Sequence, residues 1–157
     1  MGAGKTTVAR VLAGELARPF IDLDRHIHTR THHTAQQIID ADGEAAFRSI
    51  ETESLRGVLE EVNLPVVALG GGAWTVEANR RLIVAHGAVS VWLDASFELC
   101  WSRIRRTPRT RPFARDRAEA ERLFSDRQNL YRLATLHIPV TENDDAAHIA
   151  RRIITAL

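Results

Sequence analysis

The sequence predicts a single α/β domain built on a parallel sheet flanked by helices, and three observations predict it. Short apolar runs of strand length alternate with longer amphipathic stretches along the whole chain, the pattern of parallel strands joined by helical crossovers. The runs at residues 65–69 and 88–93 are apolar without alternation, as expected of strands covered on both faces. The length of 157 residues suits one domain, large enough to build a core without disulfides or metal.

Each element has its own signal. Residues 5–16 read as a helix, with Val8, Leu12 and Leu16 on one face. Residues 19–24 read as a strand ending in carboxylates. Helices follow over 34–41 and 44–62, the first with Thr34 as a candidate N-cap. The strand at 65–69 runs into three consecutive glycines. Residues 75–86 read as a helix and 88–93 as a second buried strand. Ser96 is placed to cap a helix ending at Arg105, with Leu99, Cys100 and Ile104 turned inward. A Pro- and Arg-rich loop precedes a helix over about 117–133, a strand at 136–140 and a closing helix at 146–157. No internal repeat or low-complexity linker interrupts this order.

Composition excludes several classes. With 45% hydrophobic and 26% charged residues, 9 Gly and 5 Pro, the chain is not collagenous, disulfide-rich or largely disordered. The single cysteine, Cys100, excludes an internal disulfide and sits among apolar helix positions as inert core. The longest stretch free of Asp, Glu, Lys and Arg, 63–76, is shorter than the ~20 residues of a membrane span and holds the glycine triplet. No basic-then-apolar segment opens the chain. A soluble cytoplasmic protein is expected.

The net charge of +1 names no partner, but its distribution does. Residues 103–132 carry 10 arginines against Asp116, Glu119, Glu121 and Asp126, a local +6, while the remainder is −5. Such a segment suits a solvated helix face, a nucleic-acid surface, or a lid over polyphosphate. Nucleic-acid surfaces interleave aromatics with a basic domain. Here only Phe113, Phe124 and Tyr131 accompany the arginines and the rest is acidic, which favours the lid. Of 21 cationic side chains 20 are Arg; Lys5 alone is Lys, and it calls for a specific explanation.

That explanation is at hand. Gly2-Ala3-Gly4-Lys5-Thr6-Thr7 is the end of a G-x-x-x-x-G-K-[ST] loop opening a helix. Glycines let backbone N–H groups converge on phosphate oxygens, and the helix N-terminus adds positive potential. Lys5 would reach the β- and γ-phosphates, and the Thr6 hydroxyl would ligate Mg²⁺. The loop's first Gly would lie two residues upstream of Met1, and the strand that feeds such loops is absent. Losing a central strand leaves a buried gap and unpaired backbone groups at ~1–3 kcal/mol each, against a total stability of ~5–15 kcal/mol. Met1 is therefore expected to be an internal residue of a longer natural chain.

Asp22 and Asp24 stand two apart, on one face at a strand's C-terminal end, where α/β folds place ligands. One carboxylate there can hold Mg²⁺ through water while the other accepts a hydroxyl proton; a turn cap is the plainer reading. Arg48 and Glu51 are spaced for a helix pair, which in isolation would be only a solvated surface pair. The triplet Gly70-Gly71-Gly72 is either a plain loop or a place where backbone approaches a ligand. His26, His28, His32 and His33 cluster, with His28 and His32 at Zn²⁺-binding helical spacing; no nearby Cys completes a site, and a solvated His-rich turn is favoured.

Taken together, Gly4-Lys5-Thr6-Thr7, Asp22-x-Asp24, Gly43-Glu44-x-x-Phe47-Arg48-x-x-Glu51, Gly70-Gly71-Gly72, Arg111-Pro112 and Arg127-x-x-x-Tyr131 resemble the shikimate kinase family in order and spacing. The resemblance runs from Met1 to the C-terminus and lacks only the family's first strand. It implies a P-loop kinase architecture, like that of nucleoside-monophosphate kinases, with a substrate-binding helical region at about 25–62 and a lid at about 106–118. It implies transfer of the γ-phosphoryl of ATP to the 3-hydroxyl of shikimate with Mg²⁺, a step of aromatic amino-acid biosynthesis, in a monomer without nucleic-acid or membrane partners.

By the same resemblance, Gly2, Ala3, Gly4, Lys5, Thr6, Thr7 and Arg111 would bind ATP, and Thr6 with Asp22, through water, the metal. Asp24, Arg48, Gly70, Gly71, Gly72 and Arg127 would bind shikimate, the two arginines gripping its carboxylate and Glu51 orienting Arg48. Asp24, Lys5 and Arg111 would be catalytic, Asp24 on the substrate hydroxyl and Arg111 on the transferring charge. Arg105 or Arg106 would stack on adenine. The chain departs from the family pattern at His28, Ile39, Phe113-Ala114 and Trp74, positions that bear on lid packing and affinity. A gluconate-type kinase and a non-catalytic nucleotide-binding module are the rival readings.

Overall fold

The computed structural model describes residues 2–106 and 116–157. The expected lid and Arg111 fall outside these residues, apart from Arg106 and 116–118 at the lid's margins.

Helix α1 (Lys5–Glu15) starts at Gly4 and buries Val8, Ala9, Leu12 and Ala13. Strand β1 (Phe20–Asp22) leads directly into α2 (Leu23–Thr31), capped by the Asp22 side chain, which accepts from the Arg25 N–H. The expected strand over 19–24 is thus three residues long, and Asp24 stands in the first turn of a helix. The cause is local: an Asp N-cap followed by Leu23 and Ile27, four apart and both fully buried, starts a helix there. Of the His-rich segment, His26 and His28 are correspondingly in the helix, while His32 and His33 lie in the bend that follows it. The spacing pair is broken, because His32 is the left-handed cap that ends α2, at φ 59°.

Helix α3 (Ala35–Leu59) opens with a capping box between Thr34 and Gln37 and is interrupted at Gly43, whose φ of 87° is not helical. This matches two expected helices laid end to end. Strand β2 (Val66–Ala68) is followed by the glycines, a single 3₁₀ turn (Ala73–Thr75) and α4 (Glu77–Ala85). Strand β3 (Val91–Ala95) and α5 (Phe97–Arg105), with Ser96 as N-cap, come next. Then follow α6 (Arg117–Tyr131), β4 (Leu136–Val140) and α7 (Ala146–Ala156).

The strands are parallel, as expected, but among the described residues they form two pairs, β1 with β2 and β3 with β4. Pro139 lies in β4, an edge strand, where a missing N–H donor does least harm. Each pair has its own core. Leu93, Ile138 and Val140 pack with Val8, Leu12, Ile149 and Ile153 beneath the second pair. Leu23, Ile27, Phe47, Leu55, Val58, Trp74 and Ile83 pack beneath the first.

Between the pairs lies an apolar cavity of about 480 Å³, lined among others by Val8 and Leu12 of α1, Val66 and Val67 of β2, and Val91 and Leu93 of β3. Residues of both pairs line it. It corrects a second expectation: Val66, Val67, Val91 and Trp92 are only half-buried, because this cavity borders them in place of packed side chains.

Candidate active site

Backbone conformation makes the loop ahead of α1. Gly2 and Gly4 have φ of 70° and 92°, the left-handed region that glycine enters without strain. A Cβ on Gly2 would collide with the Cys100 carbonyl, so the loop lies directly on α5. Arg103 of α5 donates to the Ala3 carbonyl at 3.3 Å and fastens it there. Nothing in the sequence marked Arg103, since a contact across 100 positions has no local signature. Lys5 follows at the helix start, and the Thr6 hydroxyl donates to Asp22 Oδ2 at 2.9 Å. Thr6 and Asp22 therefore meet, as expected, at the N-terminus of α1.

The second half of the site is organised by the glycine triplet. A Cβ built on Gly70 would lie 2.9 Å from Asp24 Oδ1. One on Gly71 would lie 2.9 Å from the Tyr131 hydroxyl and 3.1 Å from Arg127 Nη1, and one on Gly72 would lie 2.8 Å from both terminal nitrogens of Arg48. Three successive glycines thus each abut a different polar group, from α2, α6 and α3. Any side chain there displaces one of them, which is why this strand ends in glycines and not in a turn sequence of other composition.

Arg48 is held from two sides. Its Nη1 donates to Glu51 Oε2 at 2.8 Å, and its Nη2 and Nε donate to Glu44 Oε1 at 3.0 and 3.3 Å. Three of its five N–H donors are so engaged, leaving two, among the described residues, for a bound anion. The pair is not the solvated surface pair of the plainer reading: the Glu51 side chain is 2% exposed and that of Arg48 26%. Burial works to lower the Arg48 pKa, but the hydrogen bonds and charges of Glu51 and Glu44 outweigh it and raise it. Burial likewise raises the Glu51 carboxyl, against the lowering effect of Arg48.

This has a measurable consequence. A carboxyl raised in the folded state contributes stability below the ordinary glutamate pKa that is lost as pH rises through the folded value. Removing the guanidinium in Arg48→Ala removes what restrains that rise. The variant is expected to lose melting temperature more steeply than the parent as pH rises above the ordinary glutamate pKa, with the fall displaced to higher pH. Adding Glu51→Gln should flatten the profile. Equal pH slopes in parent and Arg48→Ala would refute the coupling.

No group of three or more His, Cys, Asp or Glu suited to a metal exists among the described residues. Thr6 and Asp22 do suit Mg²⁺, a hard cation that takes one or two protein oxygens and completes its shell with water and phosphate. Among the described residues no helix is long and apolar enough to cross a membrane.

A glycine loop capping a helix, together with two guanidinium groups and a carboxylate gathered around bare backbone, defines a P-loop kinase acting on a small anionic substrate. Residues 1–157 match the family model described as shikimate kinase, and the chain belongs to that family. The shikimate kinase of Ruegeria pomeroyi is 40% identical over 160 residues, covering 100% of this chain and 80% of that one. The crystal structure of the Bacteroides thetaiotaomicron shikimate kinase superposes with a TM-score of 0.89 at 29% identity, covering 100% of this chain and 94% of that one. The Acinetobacter baumannii shikimate kinase, solved in complex with shikimate, superposes with a TM-score of 0.86 at 34% identity over 99% of this chain and 87% of that one.

Proposed function

We propose that the chain transfers the γ-phosphoryl group of ATP to the 3-hydroxyl of shikimate, with roles assigned as follows. The Gly2–Gly4 backbone and the start of α1 receive the phosphates, Thr7 lies in the same first turn, and Lys5 neutralises the β- and γ-phosphate oxygens. Thr6, with Asp22 through water, would hold Mg²⁺, which screens phosphate charge when bound. Arg48 and Arg127 grip the substrate carboxylate from neighbouring glycines, and this fixes the ring against Gly70–Gly72. Asp24, against Gly70, takes the hydroxyl proton as the new O–P bond forms; the bond between the γ-phosphorus and the β,γ-bridging oxygen breaks and ADP leaves. Arg111 is assigned to the transferring charge.

The observation that carries this reading is the triplet, whose glycines face Asp24, Arg127 with Tyr131, and Arg48 in turn. The setting is a cytoplasmic monomer acting on two small molecules. The test is a coupled ADP-release assay with shikimate, with gluconate, and with neither. Release that requires shikimate, with a phosphomonoester product seen by ³¹P NMR, supports the reading. Release driven by gluconate, or independent of either acid, overturns it.

A further inference from the structure

The two guanidinium groups that converge on the triplet are held in unlike ways. Arg48 is pinned by two carboxylates. Among the described residues no carboxylate pairs with Arg127; its neighbours at Gly71 are the Tyr131 hydroxyl and the glycine itself. Something other than ion pairing must hold Arg127 in place.

The turn at Ala73–Thr75 supplies a fixed reference. Asn79, fully buried in α4, donates to the Ala73 carbonyl at 2.9 Å, and Arg80 donates to the Trp74 and Thr75 carbonyls at 2.7 and 2.9 Å. From this anchored turn two hydrogen bonds cross to the last turn of α6, in opposite directions. The Trp74 indole N–H donates to the Leu130 carbonyl at 2.8 Å, and the Tyr131 hydroxyl donates to the Gly71 carbonyl at 3.1 Å. The Leu130 carbonyl takes the Leu133 N–H at 3.1 Å within the closing turn and has a second lone pair for the indole. Trp74 is 8% exposed, and a buried indole N–H needs such an acceptor. Tyr131 lies four residues after Arg127 on the same face of α6. Its ring packs against Trp92, with centroids 6.3 Å apart. Burial raises the phenol's pKa against the pull of Arg127, so it keeps the proton it donates to Gly71.

We infer that Trp74 and Tyr131 are positioning residues: their reciprocal hydrogen bonds lock α6 to the glycine triplet and hold Arg127 in register with Arg48 for the substrate carboxylate. This rests on the proposed role of Arg127 and adds what places it. The position where the chain departs from the family pattern with a bulky side chain, Trp74, is then one half of the lock.

The test uses Tyr131→Phe, which keeps the ring and removes the donor, and Trp74→Phe, which keeps an aromatic side chain but loses the donor together with part of the indole's volume, each made also in an Arg127→Ala background. In the parent background each should raise the shikimate KM about tenfold, the scale of one such hydrogen bond, with the ATP KM held within about twofold. In the Arg127→Ala background neither should raise it further, because they act through Arg127. A purely structural role would lower active fraction and melting temperature without this split. Unchanged shikimate KM in both Phe variants, or an equal rise in both backgrounds, overturns the inference while leaving the role of Arg127 intact. A normal shikimate KM in Arg127→Ala alone would overturn that role, and the inference with it.

Discussion

Arg48→Ala is expected to raise the shikimate KM by about 10- to 100-fold and leave the ATP KM nearly unchanged, the value of losing charge-assisted hydrogen bonds to one anion. The geometry explains why the loss is selective. Arg48 faces Gly72 and is oriented by Glu44 and Glu51, all on the substrate side of the triplet, whereas the phosphate loop leans on α5 through Arg103. A second effect accompanies the first. Removing one member of a buried pair leaves the other uncompensated, at about 3–5 kcal/mol for fully buried charges. Here the arginine is partly solvated, so the cost falls toward the lower end of that range. The double variant Arg48→Ala/Glu51→Gln separates the two: it should recover melting temperature without recovering KM. Steady-state kinetics beside thermal unfolding reads both. An Arg48→Ala enzyme with parental KM would remove Arg48 from the carboxylate site.

Asp24→Asn is expected to lower kcat by about 10²–10⁴-fold, the usual worth of a general base, with a small change in either KM. Asparagine has nearly the shape of aspartate and keeps the packing against Gly70, where a Cβ would already meet Oδ1 at 2.9 Å. It can still accept a hydrogen bond from the substrate hydroxyl, but it cannot take its proton. A pre-steady-state measurement should place the loss in the chemical step. If kcat were preserved, Asp24 would only position the hydroxyl and the proton would leave by another route.

How far the sequence could be read differs from residue to residue. The phosphate loop was legible because its chemistry is local: two glycines, a lysine and a threonine within one turn carry the signal. Ser96 and Thr34 as caps were legible for the same reason. Helix α2 is hard to read from the sequence because its N-cap, Asp22, is also half of a carboxylate pair at a strand end; Leu23 and Ile27, four apart and apolar, are its available sign. Trp74 stands out in the sequence only as a departure from the family pattern, since nothing near it reveals an acceptor at Leu130, 56 positions away.

By itself the sequence determined the α/β alternation, the parallel strands and the types of residue that a phosphoryl-transfer site on an acidic substrate requires. Those follow from periodicity and short-range motifs, which act over a few residues. Only the tertiary structure decided that Asp24, Arg127 and Arg48 each meet one glycine of a single triplet, and that Arg48 is buried with Glu51 while Arg127 and Tyr131 come together at Gly71. It also decided that the strands stand as two pairs around a cavity. Such juxtapositions join α2, α3 and α6 across the fold. They depend on packing between elements distant in the chain, and packing leaves no local mark in the order of residues.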